Sequence, residues 1–460
     1  MLDLKIEGGT VIDGSGTAGW RADVGIRDDT IVAVGDLSRE PAGRQLRALG
    51  KAVTPGFIDV HSHSDWRLWG NRCAESKIRQ GVTTEVVGNC GFSPAPASEE
   101  FLEDLRAFAL YLPAGMDFRW RSVGEYLRAF EGEGTALNVV HLVGHGTLRI
   151  AAMGFARRPP SARELSLMQR LLAEGMEAGA WGLSTGLIYA PGSFATTEEI
   201  VAVASAAARA RGVYASHIRG EGATLLAAVS EAIRVGRENA MSVQISHIKA
   251  SGRPNWGMVA HALGLVEAAR AEGLDVMADV YPYTASSTTL RTLLPDWAME
   301  GGVEAMLARL HDPDARARIR QDIEAPPGGQ SIVARMGWEN VMISSCARRK
   351  DAEGKRLSEI AAAQGIDPLD AAFALLRDEG GGSSPRPRRS RRDPGGRQGR
   401  PGRVRFRPRS GSGHLRGSAP LPGGHRARSR ERTRCGEGRR ALGESAGPRA
   451  HAGMSRAGVP

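Results

Sequence analysis

Cysteine is scarce in this chain: Cys73, Cys90, Cys346 and Cys435 are the four in 460 residues, at irregular spacings. A disulfide-stapled scaffold is thereby excluded, and a reducing compartment is the default expectation. Also missing is a basic stretch followed by an apolar stretch at the N-terminus, which begins Met1-Leu2-Asp3-Leu4-Lys5. No run approaches the roughly 18 apolar residues that would span a bilayer. The expectation is a soluble, cytoplasmic protein with no membrane partner. At 41% hydrophobic residues the chain has enough apolar material for one large core with appendages.

Beyond residue 380 other residue types disappear. Residues 381–460 hold no Ile, Tyr, Trp, Lys or Asn, and 54 of the 80 are Arg, Gly, Pro or Ala. Such a segment buries too little apolar surface to offset the entropy of ordering it. It also distorts the global charge. The tail carries 21 Arg against Asp393, Glu431, Glu437 and Glu444, a net of +17, which leaves 40 basic and 47 acidic residues, a net of −7, for residues 1–380. The formal +10 of the whole chain therefore says nothing about the body of the protein. One reading of the tail is a disordered arginine-rich arm that binds nucleic acid through phosphates. The other is out-of-frame translation of a G+C-rich gene, which yields mostly Gly, Ala, Arg and Pro. The second is favoured, because the change is abrupt, follows directly on a helical pattern over 368–378, and uses Arg without Lys. Nucleic acid is accordingly not an expected partner.

Residues 1–54 are short apolar runs broken by Gly and Asp, the pattern of a small antiparallel sheet, half of a β-sandwich. From residue 53 strand-like and helix-like segments alternate. Apolar runs lie at 57–60, 84–88, 137–143, 182–185, 213–216, 243–246 and 275–280. Between two of them, Thr196 with Glu199 has the spacing of a capping box ahead of an Ala-rich helix over 199–211, and a second helix is expected over 223–239. Seven or more such repeats favour an α/β fold closed as a (β/α)8 barrel over an open sheet. The barrel is assigned to 55–289, an inserted helical subdomain to 290–340, and a return to the barrel to 341–380, with Val341-Met342-Ile343-Ser344-Ser345 as a strand. The last barrel strand would then fall in 381–460, so the barrel is expected to be incomplete there.

In this architecture chemistry sits at the C-terminal ends of the strands. Those ends hold His61, His63, Cys90, His145, His217 and His247. One buried histidine is more often a satisfied core residue than a ligand, but with His145 set aside, five metal-competent side chains from four strands form a pattern. His61 and His63, at i and i+2 on a strand, point the same way. Cys90 follows a strand in the turn Gly88-Asn89-Cys90-Gly91, a setting that suits a thiolate better than an inert buried thiol. Ser216-His217-Ile218 and Ser246-His247-Ile248 repeat one pattern thirty residues apart. His145 reads as a neighbour of the site, whereas His141, His261 and His311 look incidental.

With Gly56-Phe57-Ile58-Asp59-Val60-His61-Ser62-His63, Gly182-Leu183-Ser184-Thr185-Gly186 and Asp279-Val280-Tyr281-Pro282-Tyr283 added, the chain resembles the amidohydrolase superfamily, and within it the N-acyl-D-amino-acid deacylase (D-aminoacylase) branch, over about residues 2–380. The resemblance implies a zinc-dependent hydrolase of the linear amide of N-acyl-D-amino acids, a small-molecule substrate, releasing a D-amino acid and a carboxylate. It implies that Cys90, His217 and His247 hold a tightly bound zinc and that His61 and His63, sharing Cys90, form a weaker second position. Lys249, Tyr281 and Ser287 would bind substrate, Lys249 at the free carboxylate and Tyr281 toward the carbonyl oxygen. The family's general-base Asp, carried on the last barrel strand, has no counterpart after residue 345, so no general base is assigned. The alternatives kept open are another amidase of the superfamily, such as a hydantoinase, and an inactive frame-shifted remnant.

Overall fold

The computed structural model describes residues 1–109, 118–326 and 331–381. Residues 327–330, within the inserted subdomain assigned to 290–340, and the arginine-rich tail from 382 onward lie outside the described residues. The N-terminal strands are β1 (Leu2–Val11), β2 (Trp20–Arg27), β3 (Thr30–Gly35), β4 (Ala42–Arg47) and β5 (Ala52–Val53). Here the expectation of an antiparallel sheet is corrected. β1 runs antiparallel to β2, and β2 to β3, but β4 and β5 both lie parallel to β1. The chain after β3 crosses back to the start of β1, where the Leu2 amide donates to the Pro41 carbonyl, so β4 enters in the same direction. Val11, Ala22 and Val24 form the small core on this sheet.

The second sheet holds β6 (Phe57–Asp59), β7 (Val82–Val87), β8 (Asn138–Gly144), β9 (Gly182–Gly186), β10 (Val213–His217), β11 (Val243–Ile245) and β12 (Val276–Ala278). They lie side by side in sequence order, every neighbouring pair parallel. Each strand returns through helical chain, because parallel neighbours require a crossover. All seven coincide with the apolar runs of the sequence. Among the described residues β6 and β12 do not pair with each other, so this is a curled, incomplete barrel of seven strands. Its core packs Val143, Leu183, Tyr214, Val243 and Ile245 against helix residues such as Leu172, Val203 and Val229.

The strand expected at 341–345 is not a barrel strand, a second correction. Its hydrogen bonds are used locally: Ile343 N–H donates to Lys355 O, Gly354 N–H to Ile343 O and Leu357 N–H to Val341 O. One antiparallel bridge, Met342 with Arg356, results. Ile343 and Cys346 are buried with Leu357, Ile360, Ala371 and Leu375, so 341–380 packs with the helical layer instead of extending the sheet. Within that layer the helical subdomain expected at 290–340 includes two helices, Gly302–His311 and Pro313–Glu324, divided where the Asp312 carboxylate caps the second and Pro313 begins it. Among the described residues no helix is long and apolar enough to cross a membrane.

Candidate metal centre

Four barrel strands deliver side chains to one point. Cys90 Sγ lies 3.3 Å from His61 Nε2 and 3.6 Å from His247 Nε2. His247 Nε2 is in turn 2.9 Å from His217 Nδ1. His61, Cys90 and His247 form one cluster of convergent donors, and His217, Glu221 and His247 a second, with the donor atoms of each cluster within 4.8 Å of one another. His63 stands beside them, its ring centroid 5.4 Å from that of His61. The second cluster contains a residue that sequence reading missed. Glu221 lies four residues past His217, in the loop after β10, and Oε1 sits 3.2 Å from His247 Nδ1 and 3.6 Å from His217 Nε2. The signal available was a carboxylate one short loop after a candidate ligand; its approach depends on a loop path that the pattern does not encode.

The electrostatics follow from burial and crowding. Burial disfavours a thiolate at Cys90, but the His61 and His63 imidazoles pull the thiol well below its ordinary range. Burial likewise opposes a charge on His61, yet the Cys90 sulfur and the Asp279 carboxylate lift it to about 10. His217 is pushed down by burial. Glu221, despite being buried, is held at about 2 by the His247 hydrogen bond and by His217 and Lys249. Cys90 and Glu221 are thus held as anions, and with the imidazoles around them the cluster offers a soft sulfur, ring nitrogens and a carboxylate, the donor types zinc accepts. Buried His61 Nδ1 and His217 Nε2 make no hydrogen bond among the described residues; the carboxylates that face them, Asp279 and Glu221, stand at 3.4 and 3.6 Å. Ring nitrogens held open beside carboxylates at a cluster of this chemistry fit a cation position.

The substrate-side candidates are distributed unevenly. Lys249 Nζ donates to Glu221 Oε1 at 2.5 Å and lies 5.6 Å from the centre of the Tyr281 ring. The Tyr281 ring is 6.3 Å from that of His247, and burial raises its phenol. Ser287 is exposed in the chain after β12, and the hydroxyl that reaches Tyr281 is that of Ser286. Asp279 is engaged: it accepts from the His247 amide at 2.7 Å and from Gln244 Nε2 at 2.8 Å, and faces His61 Nδ1 at 3.4 Å. His145 is buried away from the cluster and pairs with Glu199 at 3.0 Å, with Arg149 on the other carboxylate oxygen. That pairing explains the half-formed capping box at Thr196, whose hydroxyl accepts from the Glu199 amide while the Glu199 side chain turns inward.

The curled parallel sheet with ligand-type residues at its strand ends is that of a metal-dependent hydrolase barrel, and residues 48–392 match the profile of the Amidohydrolase family. The chain belongs to that family. Within it, the chain is 47% identical over 289 residues to an N-acyl-D-glutamate deacylase of Alcaligenes xylosoxydans xylosoxydans, covering 63% of this chain and 58% of that one. It is 44% identical over 290 residues to a D-aminoacylase of the same organism, covering 63% and 59%. A solved N-acyl-D-glutamate deacylase of Bordetella bronchiseptica, complexed with zinc and a phosphonate mimic of the tetrahedral intermediate, superposes with a TM-score of 0.67 at 35% identity, over 82% of this chain and 70% of that one. The chain thus spans a little under three-fifths of the length of the curated relatives it matches.

Proposed function

We propose that the protein is a zinc-dependent N-acyl-D-amino-acid deacylase, hydrolysing a linear amide to a D-amino acid and a carboxylate. The observation that carries this reading is the convergence of Cys90 with His61, His217 and His247, from separate strands, on one buried point. Cys90, His217 and His247 hold the tightly bound zinc; His61 and His63, sharing Cys90, make a weaker second position. Held there, a zinc ion would supply Lewis acidity for the amide carbonyl and for water at neutral pH.

The chain's own residues orient the substrate. Lys249, at present paired with Glu221, brings a cation to the free carboxylate of the substrate. Tyr281, beside His247, presents its hydroxyl toward the carbonyl oxygen; Ser287, exposed in the chain after β12, is the further candidate for substrate binding there. Asp279 keeps His61 and the His247 backbone in register. With three groups already on it, Asp279 is a poor proton shuttle, and the family's general-base Asp has no counterpart among the described residues. Lack of a positioned general base typically costs ~10²–10⁴ in rate.

The test is to load the protein with zinc and follow amine release from N-acetyl-D-glutamate, N-acetyl-D-aspartate and an uncharged N-acetyl-D-amino acid, with the L-enantiomers and a hydantoin alongside. Hydrolysis of D-substrates only, abolished together with zinc content in Cys90→Ala, is the expected result. Hydantoin ring opening would move the assignment to a cyclic amidase, and bound zinc without any turnover would leave a remnant of the family.

A further inference from the structure

We infer that Ser184 is the positioning residue that sets the Cys90 thiol on the metal. This inference rests on the metal site proposed above and names what holds it. The turn that carries Cys90 is unusual in its backbone: Gly88, Cys90 and Gly91 have φ of +80°, +55° and +77°. A left-handed cysteine is disfavoured by its own Cβ and persists only when its surroundings impose it. Those surroundings are the ends of β8 and β9, met backbone to backbone. A Cβ on Gly186 would stand 1.9 Å from Cys90 O, one on Gly88 would stand 1.9 Å from Leu142 O, and one on Gly144 would stand 2.4 Å from Gly91 O. Close approach fixes how near the turn lies, but its hydrogen bonds fix how it is rotated.

Ser184 supplies them. Its fully buried hydroxyl accepts from Gly91 N–H at 3.0 Å and donates to Gly88 O, so one side chain on β9 ties the residues flanking Asn89 and Cys90. A hydroxyl is suited to this because it donates and accepts at once. Ser184 itself is fixed in the ladder, paired with Gly144 on β8 and Ala215 on β10. The path is therefore rigid strand, hydroxyl, turn, thiol, the arrangement by which groups behind a ligand orient it.

Cobalt(II) replaces zinc as the probe, because a thiolate on cobalt gives a charge-transfer absorption that reports the Cys90 bond directly, without turnover. Three full-length proteins are compared: wild type, Ser184→Ala, and Tyr214→Phe, which loses an equally buried hydroxyl bonded to Thr185 Oγ1 at 2.9 Å instead of to the backbone of the turn. Ser184→Ala is expected to weaken cobalt binding ~10–100-fold and to diminish or shift the thiolate band, while Tyr214→Phe keeps both. An unchanged band and affinity in folded Ser184→Ala would overturn the inference while leaving the metal site standing. Equal changes in Tyr214→Phe would reduce the role to general stability. A wild type that binds cobalt with no thiolate band would overturn the site and the inference together. Should Ser184→Ala not fold, Ser184→Thr, which retains the hydroxyl, is expected to show the wild-type band, and a folded Ser184→Thr with a lost band would count against the inference.

Discussion

The middle of the seven-stranded sheet and its two edges are built from the same kind of sequence but stand in different surroundings. Val87, Val143, Leu183, Tyr214 and Ile245 on the inner strands are wholly buried, whereas Phe57 and Ile58 on β6 are 58% and 62% exposed, and Met277 on β12 with Val280 just beyond it are 58% and 74% exposed. The metal-type residues are divided along the same line. Cys90, His217 and His247 follow inner strands; His61 and His63 follow β6, and Tyr281 follows β12. Packing therefore fixes the three residues proposed for the tight zinc more firmly than those proposed for the weaker position. Among the described residues β6 pairs only with β7, and such an open parallel edge leaves a row of backbone donors and acceptors available to other chains.

The strongest way to break that contrast is to disturb the tight packing of the middle. Gly186→Ala places a methyl 1.9 Å from Cys90 O, against backbone that has no rotamer to yield. Destabilisation of about 3 kcal/mol is expected, the upper end for overpacking. Gly264→Ala, in the helix Met258–Ala271 ahead of β12, meets nothing within 4 Å and should stabilise by about 0.5–1 kcal/mol. Urea denaturation of the two variants measures both, and similar effects would remove the distinction between middle and edge.

A second prediction sharpens the contrast through pH. His141 on β8 is buried against Tyr126, neither ring nitrogen has a partner among the described residues, and burial holds it down at about 3. The unfolded chain takes up this proton below about 6.5, and the folded one does not. Native stability is therefore complete above that value and falls as pH drops through the window between the two, by about 1.4 kcal/mol per unit. His141→Leu should match wild type at pH 7.5 and exceed it by a margin that widens at pH 6 and pH 5. A constant difference across that range would mean that the ring is protonated in the fold.

Much of this was legible because burial writes itself into pattern. The inner strands lie where short apolar runs recur between helical segments, and the cysteine in its glycine-flanked turn and the paired Ser-His-Ile segments mark the strand ends where the proposed ligands stand. What stayed hidden depends on where loops travel. Glu221 reaches the cluster only because the chain after β10 bends back over it, and Glu199 leaves its capping box because His145 and Arg149 happen to lie within reach. Val341 to Ser345 reads as a strand by composition, yet a local turn through Gly354 satisfies its backbone first. Apolar content marks a segment as buried without saying against which layer.

The smallest effect on stability concerns the edge itself. Ile58→Lys replaces an exposed apolar side chain on β6 with a charge, one of the devices by which natural sheets protect open edges. Because Ile58 is largely outside the core, the stability change should stay within about 0.5 kcal/mol. Self-association should respond far more, since a charge beside unpaired backbone makes docking of another strand costly. Light scattering against concentration is the measurement, with Ile245→Lys on β11 as the contrast. Ile245 is wholly buried, so the same charge there should unfold the protein and raise scattering, whereas on β6 it should lower it. Opposite signs from one substitution type on an edge strand and on an inner strand of the same sheet would mark the difference between the packed middle and the open edge. If Ile58→Lys instead lost its fold, β6 would be part of the packed core.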